Sequence, residues 1–384
     1  MHWTLLAVFG LIALFWLTHG LRVAYGAVRL PRLQSFPLAK DEDCPKISVV
    51  FAARDEEEKL GGALRTLLDL DYPGIEIVAV DDRSTDATSK ILAQQAASDG
   101  RLKVVRITQL PAGWLGKPHA LQIGYEASSG EWLLFTDADV QFRPDTLRRA
   151  VSLVRERNLD HLTLMCRLVM KGFWERVILT FFAMTFHLST DPQRVANSKS
   201  GSYVGIGAFQ LLRRTSYEAS GMHRRLALEV VDDMKLAKIV RKVGARSSVG
   251  LAQEHISVRW HAGLRNIVRG VSKNFFAAAG FHVSLVVAHV LIILLVTVAP
   301  LVALPFLHGW AFLFAAISAA ISIGFQACVA LVLKANPLLG LTQPVGALIY
   351  LFMVANSTLL TLRQGGIVWR GTFYSLDELK RRGI

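Results

Sequence analysis

The sequence predicts an α/β domain that lies between apolar, membrane-crossing segments. Two features of the 384-residue chain support this prediction. From residue 46 onward, short apolar runs alternate with amphipathic stretches, a pattern typical of a sheet covered by helices. In addition, 52% of the residues are hydrophobic, and this excess is concentrated at the two ends. Long apolar segments of this kind are typical of transmembrane helices.

The N-terminal segment, residues 1–21, is predicted to be a transmembrane anchor. Residues 3–18 are almost wholly apolar, and Trp3 and Trp16 lie near the ends of this run, where aromatic anchors are common. A signal peptide is the alternative, but no small-residue cleavage site is evident and the positive charges follow the apolar run. These charges, Arg22, Arg29 and Arg32, predict that the chain enters the cytoplasm after the anchor.

The α/β domain is predicted at residues 46–260. Strands are predicted at residues 47–53, 75–80, 104–107 and 132–135, and helices at residues 56–70 and 85–97. Further along, the pattern predicts helices at residues 143–157 and 226–243 and strands at residues 161–166 and 209–212. Strands that alternate with helices favour a parallel sheet, which binds ligands at the carboxyl ends of its strands.

Charged residues follow three of these strands at the point where each strand ends. They are Arg54, Asp55 and Glu56, then Asp81 and Asp82, and finally Asp137 and Asp139. Two carboxylates at the end of a strand are typical of a site for Mg²⁺ or Mn²⁺ that substrate phosphates complete. For an isolated Asp-x-Asp, an Asp-rich turn before a helix is the alternative.

Together these residues predict a site for a nucleotide-diphosphate donor. Carboxylates accept hydrogen bonds from ribose hydroxyls and from a base N–H, so the first two groups are predicted to hold the nucleoside. Lys117 and Asp137 are predicted to lie near the donor phosphates. Asp232 and Asp233 open a predicted helix; we predict that Asp233 is a general base and that Asp232 caps the helix or contacts the acceptor.

These motifs resemble those of the inverting family 2 glycosyltransferases, over residues 46 to about 281. The matching segments are Ala53-Arg54-Asp55-Glu56-Glu57, Val80-Asp81-Asp82-Arg83-Ser84-Thr85-Asp86, Asp137-Ala138-Asp139, and Asp232-Asp233, where the family usually has Glu-Asp. The resemblance implies a GT-A fold with a Rossmann-like mixed sheet. It also implies that the first two motifs bind the nucleotide, that the third binds the cation, and that Asp233 is the catalytic base.

Two more segments, residues 114–120 and 366–374, are similar to membrane-anchored lipid glycosyltransferases of the ceramide, carotenoid and hopanoid-associated kinds. The chain departs from the Gln-x-x-Arg-Trp motif of many relatives, because Ile256 takes the first position. Arg259 and Trp260 are retained, and we predict that they contact the diphosphate and the acceptor. The missing polar residue weakens any prediction of polysaccharide synthesis.

The remaining chain is predicted to associate with a membrane. We expect a basic amphipathic helix at the interface in residues 261–280, a transmembrane region in residues 281–362, and a basic cytoplasmic tail in residues 363–384. Basic residues on both sides of the transmembrane region require an even number of crossings. One of three apolar segments would then be re-entrant or broken, at Pro300, Pro305, Pro337 or Pro344. Residues 173–187 fit an interfacial helix or a core helix.

Taken together, the sequence predicts a metal-dependent hexosyltransferase of the inner (plasma) membrane whose catalytic domain faces the cytoplasm. It would move a hexose from a nucleotide sugar, a UDP-sugar in the first instance, to a lipid hydroxyl. The alternatives are transfer to polyprenyl phosphate, which needs no strong base, and a membrane protein that binds nucleotide sugars without catalysis.

The charge and cysteine content restrict the partners further. The formal net charge of +13 suits an anionic membrane surface. No nucleic-acid recognition motif accompanies the basic residues, so nucleic acid is not an expected partner. Cys44, Cys166 and Cys328 lack metal-binding spacing and are predicted to be reduced cytosolic thiols.

Overall fold

The computed structural model describes residues 2–27 and 29–381. Residues 382–384, at the end of the predicted cytoplasmic tail, lie outside the described residues. The helices are α1 (His2–Ala27), α2 (Glu57–Leu68), α3 (Thr88–Ser98), α4 (Gly116–Glu126), α5 (Thr146–Glu156), α6 (Phe173–Thr190), α7 (Arg214–Ala219), α8 (Asp232–Lys242), α9 (Leu264–Val271), α10 (Asn274–Ala278), α11 (Val283–Ile293), α12 (Ala299–Ala303), α13 (Gly309–Val332), α14 (Gln343–Gln364) and α15 (Leu376–Arg381). The strands are β1 (Ile47–Ala53), β2 (Ile75–Asp82), β3 (Leu102–Ile107), β4 (Trp132–Phe135), β5 (Gln141–Phe142), β6 (His161–Met165), β7 (Arg167–Leu168), β8 (Gln210–Arg213), β9 (Ser247–Leu251), β10 (Ile256–Val258), β11 (Gly366–Trp369) and β12 (Thr372–Ser375).

The described residues fall into two compact units. We call the first the sheet unit; it comprises Leu30–Val169 and Pro192–Arg259. We call the second the helical unit; it contains α1 together with Met170–Asp191 and Trp260–Arg381. The helix α6 therefore belongs to the helical unit, although the chain enters and leaves it from the sheet unit.

The sheet unit is built on a seven-stranded sheet in the order β3-β2-β1-β4-β8-β6-β9. The first four strands are parallel, as the alternation of strands and helices predicts. Strand β8, however, runs antiparallel to both of its neighbours, β4 and β6. Gln210, where β8 begins, pairs with Phe135, where β4 ends. The sheet is mixed, as the resemblance implies.

Helices cover both faces of this sheet. Alternate residues of a strand point to opposite faces, and in β1 the residues Val49 and Phe51 pack in a cluster with side chains of α2 and α5. Val50 packs on the other face in a cluster with side chains of α4 and α8. Both clusters consist of fully or nearly fully buried residues. This packing places the first turns of α4 and α8 near the carboxyl end of β4.

Four helical segments of the described chain are long and apolar enough to cross a membrane. They are Trp3–Val23, Val283–Phe306, Gly309–Val332 and Pro337–Gln364. Pro305, Pro337 and Pro344 lie in short 3₁₀ turns or in the first turn of a helix, positions that proline tolerates. The second segment contains a π turn, Leu294–Val298, followed by α12, in which Pro300 is the second residue. The number of crossings remains a prediction.

The π turn is joined to the first segment by a buried hydrogen bond. The indole Nε1 of Trp16, a fully buried side chain, donates to the carbonyl oxygen of Val296 at 2.7 Å. Gln343, also fully buried, donates from Nε2 to the hydroxyl of Ser322 at 2.7 Å. Inside the helical unit, α1 is therefore a packed element and not only an anchor.

Replacing Trp16 with phenylalanine should lower the thermal unfolding temperature of the detergent-solubilised protein. The ring is kept, but the buried carbonyl of Val296 loses this donor, and such a loss costs about 1–3 kcal/mol. Trp310→Phe is the matched control, because Trp310 is 67% exposed. Equal shifts in the two variants would show that the hydrogen bond contributes nothing measurable.

Candidate active site

The first turn of α4 connects the two groups of predicted site residues. Gly116 lies so close to Asp82 that an added Cβ would stand 2.4 Å from Oδ2 of that carboxylate. The next residue, Lys117, extends to the end of β4 and places its Nζ 2.6 Å from Oδ1 of Asp137. Only glycine permits this approach at position 116. The charged residues that follow β2 and β4 are therefore brought together at one edge of the sheet, as predicted.

The residues after β1 and β2 form a hydrogen-bonded pair of turns. Asp55, with a positive φ of 52°, accepts a 2.8 Å hydrogen bond on Oδ1 from the backbone N–H of Thr85. Asp81 is almost fully buried and accepts hydrogen bonds from the backbone N–H of Ser84 and the hydroxyl of Ser89. These contacts hold the two strand ends against each other. Asp81 therefore shapes the loop with both of its carboxylate oxygens.

Arginines accompany the acids of this group. Asp82, 3% exposed, accepts from Nε of Arg83 at 2.8 Å, and Nη1 of Arg54 lies 3.9 Å from its Oδ2. The Nε of Arg54 is buried, has no hydrogen-bond partner among the described residues, and lies 3.9 Å from Oδ2 of Asp55. Glu56 is the N-cap residue of α2, and its backbone N–H donates to the hydroxyl of Thr88. Arg54 thus offers a buried donor at the edge where a nucleotide is predicted to bind.

The second group surrounds Lys117. Its ammonium pairs with Asp137 at 2.6 Å and lies 3.9 Å from Oδ2 of Asp232. Burial would lower the pKa of Lys117, but the carboxylates of Asp137, Asp232 and Asp233 outweigh burial and raise it. Lys117 is therefore a firmly protonated cation among three carboxylates. The local excess of negative charge favours the binding of a further cation.

Asp233 is held by the loop that precedes β8. Its Oδ2 accepts from the backbone N–H of Gly207 at 3.1 Å, and its Oδ1 accepts from the N–H of Met234 at 2.7 Å. Burial raises the pKa of Asp233, with the charge of Asp137 adding to the effect, although Lys117 opposes it. A carboxylate with a raised pKa and a fixed orientation is suited to act as a general base. Asp232 is the first residue of α8, and the N-cap position is Val231, so Asp232 does not occupy the predicted cap position.

The glycines before β8 are required by this packing. A Cβ on Gly205 would stand 1.9 Å from the carbonyl oxygen of Asp233, and one on Gly207 would stand 2.6 Å from Oδ2 of Asp137. From the sequence, these glycines are expected either to let the backbone approach a ligand closely or to form a simple turn. The Gly-x-Gly pattern shortly before a predicted strand was the available signal, and here the backbone contacts the two acids directly.

Comparison with known proteins identifies this domain. Residues 48–221 match the family model described as Glycosyl transferase family 2. The part of the sheet unit that contains β1 to β8 therefore matches the family 2 glycosyltransferases. Among solved structures, this chain is similar to a mannosyltransferase from Pyrobaculum calidifontis in complex with GDP-Man and Mn²⁺, with a TM-score of 0.52 and 19% identity. That similarity covers 92% of this chain and 99% of the other, and it shows that the fold is GT-A-like.

Two curated relatives are named as enzymes that act on lipids. The chain is 24% identical over 243 residues to a 4,4'-diaponeurosporenoate glycosyltransferase from Staphylococcus haemolyticus, covering 62% of this chain and 63% of the relative. It is 29% identical over 181 residues to a beta-monoglucosyldiacylglycerol synthase from Nostoc sp., covering 46% of this chain and 37% of the relative. Each match therefore spans only part of the relative.

The predicted cation ligands are both paired with lysines. Oδ2 of Asp139 accepts from Nζ of Lys59 at 2.8 Å, and Asp137 pairs with Lys117. Within the described residues, no group of three or more His, Cys, Asp or Glu side chains has a metal-binding arrangement. Mg²⁺ and Mn²⁺ need only one or two carboxylates when substrate phosphates complete the shell. Asp137 and Asp139, in their acidic surroundings, therefore fit such an ion.

Lys59 was not predicted from the sequence. It lies in the first turn of α2, three residues after Glu56, and its ammonium also contacts the carbonyl oxygen of Arg259 at 3.4 Å. Helical spacing from the charged motif at residues 53–57 was the signal that could have identified it. Lys59 connects the acid after β4 with the end of the sheet unit.

Arg241 is a second residue that the sequence did not reveal. Near the end of α8, its guanidinium donates to the backbone carbonyl oxygens of Val195, Asn197 and Ser200. These residues belong to the same loop that continues to Gly207. Helix α8 therefore binds this loop through Arg241 near its C-terminus, and the same loop orients Asp233 near the N-terminus of α8.

Trp260 lies in the helical unit, as the first residue after Arg259. Its ring centroid lies 5.2 Å from that of Phe182 and 5.5 Å from that of His261. Phe182 in turn lies 6.2 Å from Phe275. An aromatic cluster therefore begins one residue beyond the sheet unit. The predicted contacts of Arg259 and Trp260 with diphosphate and acceptor remain predictions.

The stability of the protein should fall in acid because two histidines are buried. Burial lowers the pKa of His161 to about 4 and that of His223 to about 3. An unfolded histidine has a pKa of about 6.5, so below that pH the unfolded chain binds more protons than the folded one. The free energy of unfolding should therefore decrease as the pH falls from about 6.5 toward 3.

Thermal unfolding in detergent between pH 7 and pH 4 measures this effect. His161→Gln should make the unfolding temperature depend less on pH, whatever its effect at pH 7. His282→Gln is the control, since His282 is exposed. An unchanged pH dependence in His161→Gln would show that this histidine does not contribute.

Proposed function

We propose that the protein is an inverting glycosyltransferase that moves a hexose from a nucleotide sugar, most simply a UDP-sugar, to the hydroxyl of a membrane lipid. The observation that carries the proposal is the geometry at Asp233. This half-buried carboxylate is oriented by the N–H of Gly207 and interacts electrostatically with the ammonium of Lys117, and it lies shortly after the residues that match the family 2 model. Four candidate membrane spans and two relatives named for lipid substrates support a lipid acceptor.

In the proposed reaction, the oxygen of the acceptor hydroxyl attacks the anomeric carbon of the sugar, and Asp233 accepts the proton of that hydroxyl. A carbon–oxygen bond forms on one face of the sugar, and the bond to the diphosphate breaks on the other. The electron pair of that bond leaves with the nucleoside diphosphate. Lys117 places a positive charge next to Asp137, at the position where the diphosphate is predicted to bind. Stabilisation of a developing negative charge in this way is a large contribution to such reactions.

A divalent cation is part of the proposal. When bound by Asp137 and Asp139, Mg²⁺ or Mn²⁺ would neutralise charge on the diphosphate leaving group. The fit of the two aspartates supports this assignment, and the solved mannosyltransferase was obtained with Mn²⁺. Arg54, whose buried Nε makes no hydrogen bond to the described residues, is proposed to contact the nucleotide.

The test uses purified full-length protein, a panel of radiolabelled nucleotide sugars and a total lipid extract from the host. A labelled lipid that depends on one donor and disappears with Asp233→Asn supports the proposal, and its anomeric configuration reports inversion. Release of the label by mild acid would indicate a phosphate-linked product and favour polyprenyl phosphate. Donor binding without any labelled product would favour the non-catalytic alternative.

The proposed side of the membrane is the cytoplasmic one. Ser98 is exposed at the end of α3 in the sheet unit. In a variant whose three native cysteines are replaced by alanine, a cysteine at position 98 should resist an impermeant thiol reagent in intact cells and react after lysis. Labelling in sealed cells would place the sheet unit outside.

A further inference from the structure

The helical unit ends in a β-hairpin that directly follows the last candidate span. Strands β11 and β12 are antiparallel, and the turn between them consists of Arg370 and Gly371, both with positive φ. Two-residue turns with this backbone are typical of tight hairpins. Gly365 alone separates α14 from β11, and its carbonyl oxygen accepts from the N–H of Leu376 after the hairpin. Both ends of the hairpin are thus fixed to the end of α14.

Both faces of the hairpin carry large apolar or aromatic side chains, but those on one face are buried and those on the other are exposed. Ile367 and Tyr374 are cross-strand partners and are 3% and 5% exposed. Val368 and Phe373, the next pair, are 56% and 53% exposed. Partners in an antiparallel pair lie on the same face, so Val368 and Phe373 form one exposed apolar patch. We call these two residues the hairpin patch.

The hairpin patch is held in place by its own strands. A Cβ on Gly366 would stand 2.9 Å from Cζ of Phe373, so the phenylalanine ring lies against the glycine of the opposite strand. Because Gly366 has no side chain, the ring rests on the backbone. The patch is therefore part of an ordered strand pair, and its exposure does not result from a loose loop.

Basic and aromatic residues also belong to or contact the hairpin. Trp369 follows Val368 in β11, so its side chain points to the opposite face, where the ammonium of Lys273 lies 4.0 Å from its ring centroid. Arg370 is exposed at the tip of the hairpin. Tryptophan together with lysine and arginine is typical of the region where a bilayer meets water. The helix α9 shows a similar arrangement, since it buries Ile267 and exposes Arg265 and Arg269.

The short connection to α14 keeps the hairpin close to the end of the candidate span. Val368 is four residues beyond Gln364, the last residue of the candidate span, and four extended residues reach at most about 14 Å. The polar region on each side of a bilayer is about 5–8 Å thick. The last turns of α14 still expose Leu359 and Leu362, so apolar surface continues to the start of the hairpin.

We propose that the hairpin patch is an interfacial membrane anchor, which inserts at the boundary between lipid headgroups and acyl chains. Val368 and Phe373 would enter this boundary, while Arg370 and the Lys273–Trp369 pair remain at the level of the headgroups. The occupant is the lipid surface and not a protein, because the hairpin is bound to the end of a span and is bordered by cations. The proposal does not depend on the chemistry of the sheet unit.

Site-directed spin labelling of the full-length protein tests this proposal. The protein is reconstituted in vesicles of phosphatidylcholine and phosphatidylglycerol, with its native cysteines replaced by alanine, and carries one nitroxide label at position 368 or 373. Collision rates with oxygen, which partitions into lipid, and with a water-soluble nickel complex report the depth of each label. Position 348, 57% exposed within α14, is the lipid control, and position 377, exposed in α15, is the water control.

Labels at 368 and 373 are expected to be accessible to oxygen and shielded from nickel, at a shallower depth than the label at 348. Nickel accessibility equal to that at 377 would overturn the proposal, because the patch would then face water. Shielding from both reagents would also overturn it, since a protein partner or a second copy would then cover the patch. The label at 368 leaves Phe373 intact, so the result does not depend on a variant that removes this ring.

Discussion

Replacing Asp233 with asparagine should reduce turnover by roughly 10²- to 10⁴-fold, the usual contribution of a positioned general base. Asparagine has nearly the same shape and can still accept the hydrogen bond from the N–H of Gly207. It cannot accept the proton of the acceptor hydroxyl. Donor affinity should therefore remain close to that of the wild type, and the loss should appear in kcat. Steady-state kinetics and calorimetric titration with the nucleotide measure the two quantities separately.

The neighbouring residue provides the matched control for this prediction. Asp232 is 5% exposed, and its Oδ2 lies 3.9 Å from Nζ of Lys117. Asp232→Asn should act mainly on stability or on acceptor affinity, with a smaller effect on kcat. If the two variants exchange these effects, Asp232 is the base. If both effects are mild, an anionic phosphate acceptor that needs no base becomes the better assignment.

Removal of divalent cations should abolish most of the activity, and Asp139→Asn should have a comparable effect. A cation at the diphosphate contributes several kcal/mol to transition-state stabilisation, which corresponds to roughly 10²- to 10³-fold in rate. EDTA should therefore inactivate the enzyme, and added Mn²⁺ or Mg²⁺ should restore the wild type but not Asp139→Asn. Initial rates at a series of free metal concentrations measure both effects.

The ion pair between Lys59 and Asp139 allows a second test of the metal site. Lys59 pairs with Asp139 at 2.8 Å, so a metal ion must displace its ammonium. Lys59→Met should therefore lower the Mn²⁺ concentration that gives half-maximal activity. Lys46→Met is the control, since Lys46 donates to the hydroxyl of Ser129 away from the acids. Full activity in EDTA would mean that Lys59 and Lys117 neutralise the two aspartates without any metal ion.

Local patterns in the sequence were sufficient for much of the fold. The alternation of apolar and amphipathic stretches depends only on periodicity within each segment, and β1, α2, β2, α3 and β3 lie close to their predicted positions. The same holds for the long apolar segments, because a span is recognised by length and hydrophobicity alone. The acids at strand ends could be placed at one edge because parallel strands share their direction.

Only the tertiary structure decided which groups meet at that edge. The antiparallel entry of β8 places Gly207 beside Asp233, a contact between residues 26 positions apart in the chain. The pairing of Lys59 with Asp139 spans 80 positions, and that of Trp16 with Val296 spans 280. No local periodicity encodes such contacts, because they depend on how complete elements pack. The sequence by itself therefore determined the elements and the edge of the sheet where the charged residues lie, whereas packing determined the partner of each charge.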